Sequence, residues 1–284
     1  MSTRVYIASG EAHSGKSVIA MGLVSALARH AGRVGIFRPV VTDPEADPVL
    51  TLLASRLERP IDLRAASGVM LQDLHDDRDA AMAEVVARFH AAAADTDTMV
   101  IVGSDYSGVP APTEFAANAS LAAHLDAPMI LVVNGAGRTP EQIALAAELM
   151  AEGAHARHAQ VLAVIVNRVD GPAEAIVAAT QQATRGIPTY TVPNVPILDA
   201  PTVRELMGAV NGELLSGDPA RLDNESLGFV VAAMTMPHVL DRLLPAGAVI
   251  TPGDREDVLL GVLLADRGKT FPSPSAVFLN GGFT

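Results

Sequence analysis

The 284-residue chain predicts an α/β fold: a parallel sheet with helices on both faces, then a second, smaller and incomplete α/β domain. Three observations predict it. Short apolar, β-branched runs alternate with longer Ala-rich stretches, the order that builds βαβ units. Most runs are near-continuous in Val, Ile and Leu, as strands buried on both faces require. The pattern then restarts after a polar break at residues 210–225.

In chain order, residues 5–8 open as a strand and 18–31 as a helix, with a glycine-bearing loop between them. Residues 34–37 form a second strand, closed by Arg38-Pro39, and 47–57 a helix. An Ala-rich helix over 76–94 leads into a strand at 99–102. A helix over 113–125 leads into a strand at 129–133. Thr139-Pro140-Glu141 reads as an N-cap followed by proline at the first position of a helix over 140–152. Residues 161–166 and 189–192 are strands, with a helix at 172–184 between them. Asn211-Gly212, Ser216-Gly217-Asp218-Pro219 and a charged run make a linker, so the domains are drawn at 1–212 and 213–284. Beyond it, 229–233 is a strand, 237–244 a helix and 248–251 a strand. Pro252-Gly253-Asp254 is a turn with Asp254 capping a helix over 255–265. Residues 276–279 are a strand, and Asn280-Gly281-Gly282 is a turn. A sheet that stops on a fresh strand reads as the N-terminal part of something longer.

Residues Gly10-Glu11-Ala12-His13-Ser14-Gly15-Lys16-Ser17 fit G-x-x-x-x-G-K-[ST]. The strand before and the helix after supply the context that a phosphate-cradling loop needs. Backbone N–H groups would face phosphate oxygens, and the helix N-terminus adds positive potential. Lys16 would neutralise outer phosphates, and the Ser17 hydroxyl would sit on Mg²⁺. Gly10, His13, Ser14 and Gly15 complete the cradle. The ligand expected is ATP or another nucleotide with Mg²⁺.

Four further positions lie at strand ends or in the loops that follow them, where ligands gather in open parallel sheets. Arg38 is placed to meet phosphates or a substrate anion. Asp47 follows in a loop that would order around Mg²⁺. Asp105 is placed for Mg²⁺, as a Walker-B acid is. Asn167 both donates and accepts, which suits a nucleobase.

Composition excludes several classes. Lys and Arg total 20 against 32 Asp and Glu, a formal charge of −12, which repels nucleic acid and anionic lipid. Cysteine is absent, so disulfides, thiolate metal sites and a cysteine nucleophile are excluded. No signal peptide precedes the first strand, and no apolar run is long enough to span a bilayer. A cytoplasmic protein is expected.

The chain resembles the N-terminal region of long-form phosphotransacetylase (phosphate acetyltransferase) over essentially its whole length. Residues 7–23 (IASGEAHSGKSVIAMGL), 34–39 (VGIFRP), 101–106 (IVGSDY), 166–169 (VNRV), 200–205 (APTVRE) and 249–257 (VITPGDRED) carry the likeness. The first part of that family resembles dethiobiotin synthetase, a P-loop fold, and the second the DRTGG domain. Asp254-Arg255 and Gly281-Gly282 stand at the motif's letters, with Asn280 in place of threonine. The resemblance implies that acetyl transfer between coenzyme A and phosphate belongs to a C-terminal domain outside this chain and needs no cofactor. It implies a regulatory and assembly role here, with that catalytic domain, a small-molecule effector and other copies of the chain as partners. Val102 stands where dethiobiotin synthetases place glutamate, Arg38 where they place lysine, and Asp47 where they have a metal-binding aspartate. Three readings stay open: a ligand-binding regulatory module, an ATP-dependent synthetase of the dethiobiotin synthetase type, and a P-loop relic that binds nothing.

Overall fold

The computed structural model describes residues 3–30, 32–104, 111–198 and 200–282. It comprises two compact units, Met1–Asn194 and Val195–Thr284.

The first unit is a seven-stranded sheet in the order β3-β2-β4-β1-β5-β6-β7. Its strands are β1 (Thr3–Ala8), β2 (Val34–Val41), β3 (Ser67–Met70), β4 (Thr98–Val102), β5 (Met129–Asn134), β6 (Val161–Val169) and β7 (Thr189–Pro193). Every pairing is parallel. Its helices are α1 (Lys16–Ala28), α2 (Pro48–Ala54), α3 (Leu71–Asp76), α4 (Arg78–Ala93), α5 (Ala111–His124), α6 (Pro140–His155) and α7 (Ala173–Ala183).

The predicted sandwich is present, and the strands show why. Side chains alternate across a strand, so β1 sends Tyr6 and Ala8 into one core and Val5 and Ile7 into another. Strand β4 divides Met99 and Ile101 from Val100 and Val102 in the same way. Helices α4, α5 and α6 close the first core with Val85, Phe89, Leu121 and Ile143. Helices α1 and α2 close the second with Ala20, Val24, Leu50 and Leu53. Phe89 packs edge-on to Phe37 at 5.4 Å, and burying one such ring contributes roughly 2–3 kcal/mol.

Two local readings differ. Strand β3 was not expected, because Ser67-Gly68 lacks an apolar run; Gly68 is required there because a Cβ would overlap the Pro39 carbonyl of β2. The helix expected over 76–94 is α4, and a further short helix, α3, precedes it. Asp77 breaks them with extended backbone (φ −149°) and caps α4 by accepting from the Ala80 N–H at 3.0 Å.

The second unit has a three-stranded parallel sheet, β10-β9-β8, built from β8 (Phe229–Val231), β9 (Ala248–Pro252) and β10 (Ala276–Asn280). Helices α8 (Val203–Ala209), α9 (Met236–Leu240) and α10 (Glu256–Gly268) complete it. Val230, Val249, Val258 and Val262 form its core. Arg255, not Asp254, is the N-cap of α10, and it makes no side-chain cap bond. Among the described residues no helix is long and apolar enough to cross a membrane.

Candidate functional site

The loop between β1 and α1 turns back on itself through two left-handed residues, His13 (φ 57°) and Gly15 (φ 78°). Such curvature makes consecutive N–H groups converge. Gly15 is the N-cap of α1, and no side chain caps that helix. No acidic residue lies in its first turn either. Helix α6, by contrast, fills its N-terminus with a Thr139–Gln142 capping box. The α1 N-terminus thus carries no side-chain cap, and the helix dipole adds positive potential there.

Tight contacts hold this loop. The Ser9 hydroxyl accepts from the Glu11 N–H at 3.1 Å, and the Gly10 N–H points at the Met150 sulfur at 3.4 Å. Asn167 at the end of β6 donates from Nδ2 to the Ser14 carbonyl at 2.9 Å. A Cβ on Gly15 would overlap that same amide, so glycine is needed both for φ and for space. Glu11 reaches the loop after β5. Its Oε1 pairs with Arg138 at 2.5 Å, and its Oε2 accepts from the Asn134 N–H at 3.3 Å. The loops after β1, β5 and β6 are therefore one bonded group.

Residues Gly10, His13, Ser14, Gly15, Lys16 and Ser17 are brought together in this loop, with Asn167 strapped across it. Lys16 and Ser14 are buried, at 4% and 2% exposure, while His13 is exposed. Ser17 is half-buried in the first turn of α1.

Arg38 and Asp47 come together as a separate pair. Their Nε and Oδ2 are 3.1 Å apart, with side chains 9% and 3% exposed. Asp47 also caps α2, its Oδ1 accepting from the Leu50 N–H at 2.9 Å. Both carboxylate oxygens are thus engaged. The Arg38 Nε meets Asp47 without hydrogen-bond alignment, and Nη1 has no acceptor among the described residues. A buried unmet donor costs about 1–3 kcal/mol.

At the end of β4, Val102 is fully buried in the core under α1 and α2. Asp105, the third expected metal ligand, lies outside the described residues. Among the described residues no three His, Asp or Glu side chains gather for a metal.

Sequence reading missed the clamp on this strand end. Asn118 of α5 accepts from the Tyr6 hydroxyl at 2.7 Å and the Ser104 N–H at 3.2 Å, and donates to the Ser104 carbonyl at 3.2 Å. The Ser104 hydroxyl donates to the Val40 carbonyl. The available signal was an Asn inside a helix, where its side chain is usually unfavourable. Glu11 and Arg138 were also missed, because their pairing joins distant loops.

A cleft of about 520 Å³ lies between α4 and α5, lined by Arg78, Asp79, Met82 and His124 among others. It shares no residue with the loop and holds no buried polar group.

A family model described as an AAA domain matches residues 3–211, and one described as a DRTGG domain matches residues 205–284. The phosphate acetyltransferase of Synechocystis sp. is 29% identical over 297 residues, covering 100% of this chain and 42% of that protein. That of Nitratidesulfovibrio vulgaris is 26% identical, covering 99% and 42%. The Pseudomonas aeruginosa enzyme is 28% identical, covering 88% and 38%. The chain thus spans about two fifths of the length of these curated relatives. Among solved structures, a ParA family ATPase from Chlorobium tepidum superposes with a TM-score of 0.43 at 14% identity, covering 68% of this chain and 85% of that one. A nucleotide-binding protein from Archaeoglobus fulgidus, solved in complex with ADP, gives 0.40 at 18% identity, covering 67% and 81%.

Proposed function

The chain belongs to the AAA domain family, whose model covers residues 3–211, and from that premise we propose that it is a ligand-sensing regulatory module of a phosphate acetyltransferase. Its loop at residues 10–17 takes the phosphates of a nucleotide or of another phosphate-bearing effector. Longer phosphate acetyltransferases align with 99–100% of this chain, across both matched domains. Acetyl transfer between coenzyme A and phosphate is then the work of a catalytic domain outside residues 1–284, and this module biases it by binding an effector more tightly in one state of the assembly.

One observation carries the reading. The α1 N-terminus has no side-chain cap behind a left-handed Gly15, and Asn167 holds the loop there. A helix N-terminus that no side chain caps, behind a loop held in place, suits an anion. The buried Val102 argues against turnover, since no carboxylate stands at that strand position.

Thermal shift of the 284-residue chain with ATP, inorganic phosphate and NADH tests this, with ATP hydrolysis measured alongside. A ligand selective for the folded state raises the melting temperature. A shift abolished in Lys16→Ala, without hydrolysis, supports the module. Hydrolysis abolished in Lys16→Ala supports an ATP-dependent synthetase instead. No response to any ligand supports a structural relic.

A further inference from the structure

The buried Arg38–Asp47 pair has a consequence for how the phosphate loop is neutralised. Strand β2 lies two places from β1, across β4. Ile7 of β1 is level with Val102 of β4, and Phe37 of β2 with Ile101. Arg38 therefore stands in the same row as Ile7, just below the loop and about 10 Å to the side at two strand spacings. Asp47 caps α2, whose Leu50 and Leu53 share a core with Ala20 and Val24 of α1. The pair and the phosphate loop thus occupy the same end and the same face of the sheet.

A divalent cation at Asp47 would have to displace a guanidinium 3.1 Å from Oδ2, or break the bond from the Leu50 N–H to Oδ1. Asp47 does not present a free carboxylate to a metal. What stands there is a guanidinium whose charge Asp47 offsets. Its Nη1 is buried and has no acceptor among the described residues, a donor suited to an anionic oxygen. Arginine supplies planar, directional donors to phosphate and keeps its charge at all working pH.

Resting on the reading that residues 10–17 bind phosphates, we propose that the Arg38 guanidinium, anchored on Asp47, takes the place of a divalent cation, so that this chain binds a polyphosphate without metal. Asp47 then sets how much positive charge the ligand meets.

Calorimetric titration of the full chain with ATP, and separately with pyrophosphate, in excess EDTA and in excess MgCl₂ tests the proposal. The dissociation constants with and without metal should agree within about threefold. Asp47→Asn keeps an N-cap of equal quality and releases the Arg38 charge, so it should tighten binding in EDTA by about three- to tenfold. Arg38→Met should weaken binding in EDTA by about tenfold or more, with part of the loss restored by MgCl₂ through the freed carboxylate. Should Arg38→Met fail to fold, Asp47→Asn still decides the matter. Binding that appears only with MgCl₂, or that Asp47→Asn weakens only when MgCl₂ is present, overturns the proposal and leaves the phosphate loop standing. Heat absent under both conditions, and unchanged by Lys16→Ala, overturns the proposal and the loop reading together.

Discussion

The Nδ2 of Asn167 donates to the Ser14 carbonyl at 2.9 Å across 153 residues of sequence. That bond ties the end of β6 to the loop that follows β1. It places the amide against the face of Gly15, where a Cβ would overlap it. Loop shape and strand end are thus one arrangement, and either partner can be changed to test it.

Asn167→Ala removes the strap and leaves the Ser14 carbonyl, at a residue 2% exposed, without its donor. We expect a loss of about 1–2 kcal/mol in stability, read by chemical denaturation. ATP affinity should fall as well, because the loop loses its pre-set shape.

Gly15→Ala meets two penalties, a side chain at φ 78° and overlap with Asn167. About 1–3 kcal/mol should be lost. The double variant Gly15→Ala/Asn167→Ala should recover part of it, since it removes the overlap and keeps only the backbone strain. A double-mutant cycle in urea gives the coupling directly.

Glu11 places a carboxylate in the loop at residues 10–17 and is held by Arg138 at 2.5 Å. Glu11→Gln removes that negative charge. Titration with pyrophosphate should show affinity raised by about two- to fivefold, with the gain shrinking at high salt.

Acid acts on the second unit through exposed carboxylates. Bonds from the Thr202 backbone and hydroxyl hold Glu205 below its ordinary 4.5. Hydrogen bonds from Arg204 and Arg255 hold Asp223 and Asp257 below 3.8. A lowered folded-state value stabilises above the ordinary pKa, and the effect disappears as pH falls through the folded value. Melting temperatures recorded from about pH 6 to about pH 3 should fall below about pH 4.5, and Arg204→Gln should flatten that fall. A melting temperature that rises over this range would contradict the assignment.

What was legible in the sequence was local. Glycine spacing between an apolar run and a helical stretch announced the loop, and near-continuous Val, Ile and Leu runs made the strands readable. The Thr139 cap was legible because Pro140 follows it at the first helical position. Strand β3 was not, since an edge strand of Ser67-Gly68-Val69-Met70 carries its meaning in the Pro39 carbonyl it packs on. Arg38 and Asp47 were each singled out, yet only the fold shows that they face one another. The Asn118 clamp on Tyr6 and Ser104 joins three elements, and no sequence window contains them all.

Hydrogen exchange at the amides of residues 10–17, with and without ATP, tests the phosphate loop most directly. These amides should gain protection of about tenfold or more on adding ATP, and Lys16→Ala should abolish the gain. Unchanged exchange across residues 10–17, with protection appearing elsewhere or nowhere, would contradict a phosphate site in this loop.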